Sequence, residues 1–352
     1  MNLRRIGMVV GVLGTVAAVG VPAAAAAARP RATQKKWVDL GPGQAYGINN
    51  AGQVVGGVGS NGTFRAVMWQ NGTEVDLGTL PGLKRCSASA INNAGQVVGQ
   101  CSNKGSTESH AFLWTRGVMK DLGTLPGSTD SGATAINADG DVVGVSIPKG
   151  MTVFHAVLWK NGTIRDLGVL GSGYVQSIAR GINNSDQIVG WSTQTTKVEQ
   201  AFVWANGTMH ALPAPSDAQS EASGINNKGQ VAGALLLGGL KPVLWTGGSA
   251  IELNTLGHDS AALAINQVGE VAGWVDTGGG PTHAAMWAGK KLTDLGSVRG
   301  GDTVATAIND AGEVAGRTDL SQGTEAVALL EQQPTGPRHG VTPPGRGRID
   351  NP

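Results

Sequence analysis

The chain has 352 residues, of which 56 are Gly and 14% are charged, with a formal net charge of +1. This is about twice the usual share of Gly and well under the usual share of charge, which excludes a charge-rich disordered chain; the Gly keeps no three-residue period, which excludes a collagen helix. Residues 37–333 hold 17 Lys and Arg against 24 Asp and Glu, so the body of the chain is mildly acidic and offers no basic stripe to a nucleic acid.

In chain order, Arg4 and Arg5 precede an apolar run from Ile6 to about Val21 and a small-residue stretch from Pro22 to Ala28. A basic start, an apolar centre and a small-residue exit predict a secretory signal peptide over residues 1–28, followed by a linker over 29–36. A membrane anchor is the competing reading, but the run is short and relieved by Gly and Ala. No later stretch reaches 18 consecutive apolar residues, so no membrane span is expected in the mature chain. Residues 334–352 are rich in Pro, Gly and Arg and predict a disordered tail.

Between these ends the sequence repeats. The string INNAGQVVG begins at Ile48 and again at Ile91, with weaker copies from Ile136, Ile182, Ile225, Ile265 and Ile308. Eight residues after each Ile stands a Gly: Gly56, Gly99, Gly144, Gly190, Gly233, Gly273 and Gly316. About 20 residues after each Ile a small-apolar-apolar pattern ends in Trp69, Trp114, Trp159, Trp204, Trp245 and Trp287, with Leu329 in the seventh copy. Each unit reads as two β-hairpins. Asn-Asn-Ala-Gly closes the first as a three-residue loop with a left-handed fourth residue, Asp186 standing for Gly in one copy; Asn-Gly pairs such as Asn71-Gly72 and Asn161-Gly162 close the second. The Asn-Gly-Thr triplets also match glycosylation acceptors, although turn chemistry accounts for them.

Four strands in about 43 residues, seven times over, predict an all-β, seven-bladed β-propeller over residues 37–333. An open β-solenoid is the alternative. Six units end in Asp-Leu-Gly or a relative; the seventh lacks it, and the missing copy, Asp39-Leu40-Gly41, stands ahead of the first unit. That phase shift predicts a ring closed by the N-terminal strand pairing into the last blade, which removes both exposed edges. The small segments before each Ile belong at the crowded axis, and the Trp belong in the packing between blades. The Asp of Asp-Leu-Gly recurs too often for a catalytic residue and predicts a turn cap.

His110-Ala111-Phe112, with relatives at His155, Gln200 and His283, occurs in phase with the Asp-Leu-Gly-Thr-Leu-Pro-Gly strings at 76–82 and 121–127 and with the Ile-Asn-Asn turns. In these linked motifs the chain resembles the HAF-repeat family of extracellular proteins over about residues 37–332. The resemblance implies secretion and a repeat fold, and brings no catalytic residues with it; Pro242, Ala285 and Leu329 depart from the pattern.

Chemical motifs are sparse. A glycine-rich string at Gly57–Gly62 leads into a strand, so no helix N-terminus awaits a phosphate. Asn137–Asp141 has the oxygen content of a calcium loop but falls on the repeated turn, and no metal or cofactor is expected. Cys86 and Cys101 flank one hairpin and are expected to form a disulfide, with a one-residue bulge at Gly95 as the competing register. The connections between second and third strands and between blades vary and share one face, where recognition is expected. The candidate ligand-binding residues there are Tyr46, Arg85, Asp130, Tyr174, Arg180, Glu221, His258 and Asp302. The residues opening the third strands (Arg65, His110, His155, Gln200, Lys241, His283, Glu325) are either solvated strand ends or a polar ring at the channel mouth. The expected function is a secreted, monomeric, non-catalytic binding module for an extracellular glycan or protein. A structural or envelope-associated repeat protein is the alternative, and a propeller hydrolase or lyase using Asp130, His258 and Asp302 a more distant one.

Overall fold

A computed structural model describes residues 35–331 except 60–63, 104, 106–107, 149–150 and 152. The expected signal peptide, most of the linker and the tail lie outside the described residues. Those described form 28 strands in seven four-stranded antiparallel sheets, arranged as the blades of a propeller. Within blade one the strands run outward in chain order, Gln44–Ile48, Val54–Val58, Arg65–Gln70 and Thr73–Asp76, and five further blades repeat this order. In blade seven the chain supplies Asp302–Ile308, Val314–Leu320 and Gly323–Glu331; the outermost strand is Lys35–Pro42, from the other end of the sequence. Its register places Trp37 opposite Leu329 and Val38 opposite Ala328. Trp37 thus stands beside the one third-strand position that lacks a Trp, and its indole N–H donates to the Leu295 carbonyl at 3.1 Å. The strand begins at Lys35, so it takes in the last two residues assigned to the linker.

Both hairpin turns follow the chemistry that their residues favour. Asn71 and Gly72 have φ of 51° and 73°, as do Asn161 and Gly162 at 52° and 75°, the paired left-handed conformation of a two-residue turn. Asp186, the substitute for Gly in the other turn, has φ of 57°.

The apolar side chains are gathered between blades rather than at one centre. Seven clusters fill the seven interfaces; one, for example, joins Val55, Met68 and Leu77 of blade one to Ala88, Val97 and Phe112 of blade two. Trp69, Trp159, Trp204, Trp245 and Trp287 are buried in these clusters.

Each inner strand carries an extra residue at the same place, two residues before the Ile that ends the strand, in blade one at Tyr46. The register of blade one passes from Ala45 opposite Gly56 to Gly47 opposite Val55, leaving Tyr46 as the bulge, and the same step recurs in every blade. Here is the reason for the glycine eight residues after each Ile. A Cβ on any of the seven would lie 1.8–2.0 Å from a backbone carbonyl oxygen of the inner strand, Gln44 for Gly56 and Ser87 for Gly99. The glycines accommodate the bulge.

Cys86 and Cys101 are directly opposite in register and joined by a disulfide. The bulge that made their alignment ambiguous lies at Ser89 in the strand, between Ala88 and Ala90, and not at Gly95. The same two positions hold Ser131 and Ser146 in blade three, Ser177 and Ser192 in blade four, and Thr303 and Thr318 in blade seven, all buried. The disulfide therefore replaces a buried hydroxyl pair. In blade three Ser146 donates to the Asp130 carbonyl and Ser131 to the Gly123 carbonyl, tying the inner strands to the incoming connection.

Candidate functional site

The seven bulge residues are Tyr46, Ser89, Thr134, Arg180, Ser223, Leu263 and Thr306, and all line one axial cavity of about 630 Å³. Elsewhere the inner strands offer mostly Gly, Ala and Ile to this space, so the extra residue decides its chemistry. Thr134 and Thr306 spend their hydroxyls on the next blade, donating to the Ala179 and Ala45 carbonyls at 2.8 and 2.7 Å. Ser87, Gln100, Trp191 and Glu221 also line the cavity.

Tyr46 and Arg180 are the two large members of the ring, from blades one and four. The Tyr46 hydroxyl donates to the Gln44 side-chain carbonyl. Burial pushes its pKa up, and the charge of Arg317 opposes this. The Arg180 guanidinium lies over the Trp191 ring, 4.7 Å from its centroid. Protein surrounds it on the axis although solvent reaches it, and this burial lowers its pKa, with the Glu221 charge opposing. Glu221 also lines a second cavity of about 250 Å³ between blades five and six, as do Ser223 and Leu263, so the two spaces share a wall. In that side pocket the Glu199 carboxyl hydrogen-bonds to Glu221; burial first, and then this pairing, push Glu199 up to about 7.

Of the eight expected ligand-binding residues, Tyr46, Arg180 and Glu221 converge on the axial cavity. The other five stand apart from it. Arg85 covers the Phe64 ring at 5.2 Å. Asp130 accepts hydrogen bonds from the hydroxyls of Thr129 and Ser109, and Tyr174 opens the inner strand of blade four opposite Gln194. His258 lies in the connection before the inner strand of blade six, against Gly278. Asp302 accepts from the Thr282 backbone N–H at 2.7 Å. Asp130, His258 and Asp302 belong to three different blades and do not form the cluster that the enzyme alternative needs. Glu199, Gln100 and Trp191 were not singled out from the sequence; Gln100 and Trp191 sit in strand interiors and Glu199 opens the third strand of blade four, and nothing in the repeat pattern marks them.

The polar residues opening the third strands form no ring at the channel mouth. His110, His155 and His283 turn outward to Asp121, Asp166 and Asp294 of the fourth strands, Nδ1 to oxygen at 2.6, 3.0 and 2.9 Å. Arg65 pairs likewise with Asp76 and Glu74. The same Asp residues accept the N–H of the following Gly, at 2.7 Å for Gly168 and 2.8 Å for Gly78, which makes each the cap of its turn. Asp141 of the calcium-like string is instead ion-paired to Lys160 at 2.8 Å, and Lys160 reaches Asp186 at 2.7 Å.

At the opposite mouth the first Asn of every Ile-Asn turn is buried. Its side-chain N–H donates to the backbone carbonyl of the matching Asn in the next blade: Asn49 to Asn92, then through Asn137, Asn183, Asn226, Asn266 and Asn309 back to Asn49, at 2.9–3.3 Å. A second, outer set of side-chain oxygens accepts backbone N–H groups from the preceding blade, and is interrupted where Ala138 offers no acceptor to Asn93. The recurrence of Asn in all seven copies was the sequence signal, but the Asn oxygen also caps its own turn, accepting the N–H of Ala51 and Gln53 in blade one, and this local role hides the lock.

No protein-family profile and no curated protein sequence matches the chain. Among solved structures it is similar to the β-propeller domain of the Trilobed protease from Pyrococcus furiosus, which has an open velcro topology (TM-score 0.53, 9% identity, 72% of this chain and 81% of that one). It is also similar to a puromycin-hydrolyzing peptidase of Mycobacterium tuberculosis (TM-score 0.55, 12% identity, 83% of this chain and 52% of that one). A puromycin hydrolase aligns at TM-score 0.54 and 14% identity over 82% of this chain and 52% of its own. The chain spans about half the length of these two hydrolases. At such identities the likeness is one of fold.

Proposed function

We propose that the chain is a secreted, non-catalytic β-propeller that binds an extracellular glycan or protein through the face bearing its variable connections, with the axial cavity as the recognition site. The observation that carries this reading is the ring of bulge residues. One backbone device, the same in every blade, delivers one side chain per blade to the axis, and the seven positions are filled by five residue types, Tyr, Ser, Thr, Arg and Leu. Tyr46 and the Arg180–Trp191 stack supply flat faces; Ser89, Ser223, Gln100 and Glu221 supply donors and acceptors. Flat apolar faces beside hydrogen-bonding groups suit a sugar, whose ring presents C–H on its faces and hydroxyls at its edge, so a glycan is favoured over a protein. Export is supported by the leader-like N-terminus, the Cys86–Cys101 disulfide and the resemblance to the HAF-repeat family.

An enzyme reading would draw on the peptidase and hydrolase named above, which share the fold alone, and on the Glu199–Glu221 pair. Glycan-array binding by residues 29–352 tests the proposal. Saturable binding that Tyr46→Ala or Arg180→Ala weakens about tenfold, the scale of one good hydrogen bond or aromatic contact, with an unchanged melting temperature, supports it. Binding indifferent to both variants, or turnover of the bound glycan, overturns it.

A further inference from the structure

Glu199 and Glu221 are two carboxyls in contact with one cation, Arg180, near them, and Arg180 lies on the axial side of Glu221. Beyond them Leu236, Leu240, Leu263, Ala234 and Trp274 form an apolar wall, and Gln219, Ser220 and Ser223 supply the other polar groups of the side pocket's lining. Leu236 is 46% exposed. Gln219 is committed to the Glu199 backbone N–H. Directly across from Glu199 in the sheet, and therefore on the same side of it, the Thr193 hydroxyl is closed to solvent and has no hydrogen-bond partner. The pocket thus has two carboxyls at one end and an aromatic and aliphatic wall, and it shares Glu221, Ser223 and Leu263 with the axial cavity.

We propose that the ligand is an amino sugar with a free primary amine, seated so that its ammonium lies between Glu199 and Glu221 and its ring lies against Trp274, while the adjoining sugar occupies the axial cavity. This rests on the glycan reading above and specifies the sugar. In the free protein, burial and the neighbouring Glu221 favour the protonated form of the Glu199 carboxyl. A charged amine displaces that proton to solvent; an uncharged amine takes it from the carboxyl oxygen onto nitrogen. Either way the bound state is one ammonium facing two carboxylates, and the repulsion between the carboxylates is relieved. An N-acetylated sugar has no cation to offer and would leave a carboxylate facing an amide. The charged or titratable groups near this pocket are Glu221 from the inner strand of blade five, Arg180 behind it from that of blade four, and Asp259, which accepts the N–H of the wall residue Leu240.

The test is calorimetric titration of residues 29–352 with three oligosaccharides of equal length: glucosamine, N-acetylglucosamine and glucose. The proposal expects glucosamine to bind about tenfold or more tightly than either of the others, the scale of a charge-assisted hydrogen bond. It also expects the heat of glucosamine binding to change with the ionisation heat of the buffer, because protons move. Glu199→Gln, which keeps shape and hydrogen bonding, is expected to bring the preference to about unity and to abolish the buffer dependence. Equal affinity for all three sugars leaves the glycan reading standing and overturns the amine assignment, as does a preference for glucosamine that survives Glu199→Gln. Binding of none of the three counts against the glycan reading itself.

Discussion

The glycine opposite each inner-strand bulge is held by a backbone oxygen rather than by its own dihedral angle. Gly144→Ala would set a Cβ 2.0 Å from the Gly132 carbonyl oxygen, and neither partner is the loose end of a side chain. We expect a loss of about 1–3 kcal/mol or more in urea denaturation. Gly72→Ala, with open space around it but φ of 73°, should cost about 1 kcal/mol. A reversal of that order would refute the carbonyl argument. The sequence displayed the glycine in every copy, yet not its cause, because the inner strands are built largely of small residues, among which a one-residue break in alternation leaves no mark. The capping Asp gives a second test at this scale. Burial pushes Asp166 up, but hydrogen bonds from His155 and from the Gly168 N–H, with the His155 charge, outweigh it and hold the carboxyl below its ordinary 3.8. A depressed folded pKa contributes stability that is complete above the unfolded value and is lost as pH falls through the folded one. Asp166→Asn should therefore lower stability at pH 6 and flatten its decline below about pH 4, measured by denaturation at a series of pH values.

Within a blade, the inner hairpin shows how far spacing can be read. The two cysteines were legible as partners because they are equidistant from one turn. Their register was not, since the compensating residue could sit in the turn or in the strand, and only the strand position at Ser89 brings both side chains to one face. That same extra residue explains why Tyr46 and Arg180 reach the axis while Arg85 and Asp302, at the outer ends of equivalent strands, do not: the site is selected by the bulge, and composition does not mark it. Because blades three, four and seven fill the cysteine positions with hydroxyl pairs, Cys86→Ser with Cys101→Ser should keep the fold. The 15-residue separation sets the expected loss near 3 kcal/mol on the loop-entropy account. A double serine variant as stable as the parent, in guanidinium titration, would contradict a stapling role.

At the level of the whole molecule, blade number and closure were legible, because the repeat spacing and the displaced Asp-Leu-Gly copy survive in the linear text. The lock of asparagines was not, since it joins residues 40 to 46 apart, and then 260 apart, through bonds that local turn chemistry hides. Closure makes a topological prediction. Lys35 lies opposite Glu331, so an Asn-Gly turn joining 331 to 35, with a new start at residue 43, should give a permuted chain with a melting temperature close to the parent's. Deletion of residues 1–42 without that graft should expose the blade-seven edge, lower the melting temperature and promote self-association in size-exclusion chromatography. Linear arrays of repeats fray because a first and a last member each lack a neighbour. The asparagine amides here point one way around a circuit that meets its own beginning, so every turn is flanked on both sides. Fluctuations that open the molecule have a single available starting point, the seam where the two ends of the polypeptide lie side by side, and amide hydrogen exchange should be fastest there and nearly uniform over the other six blades.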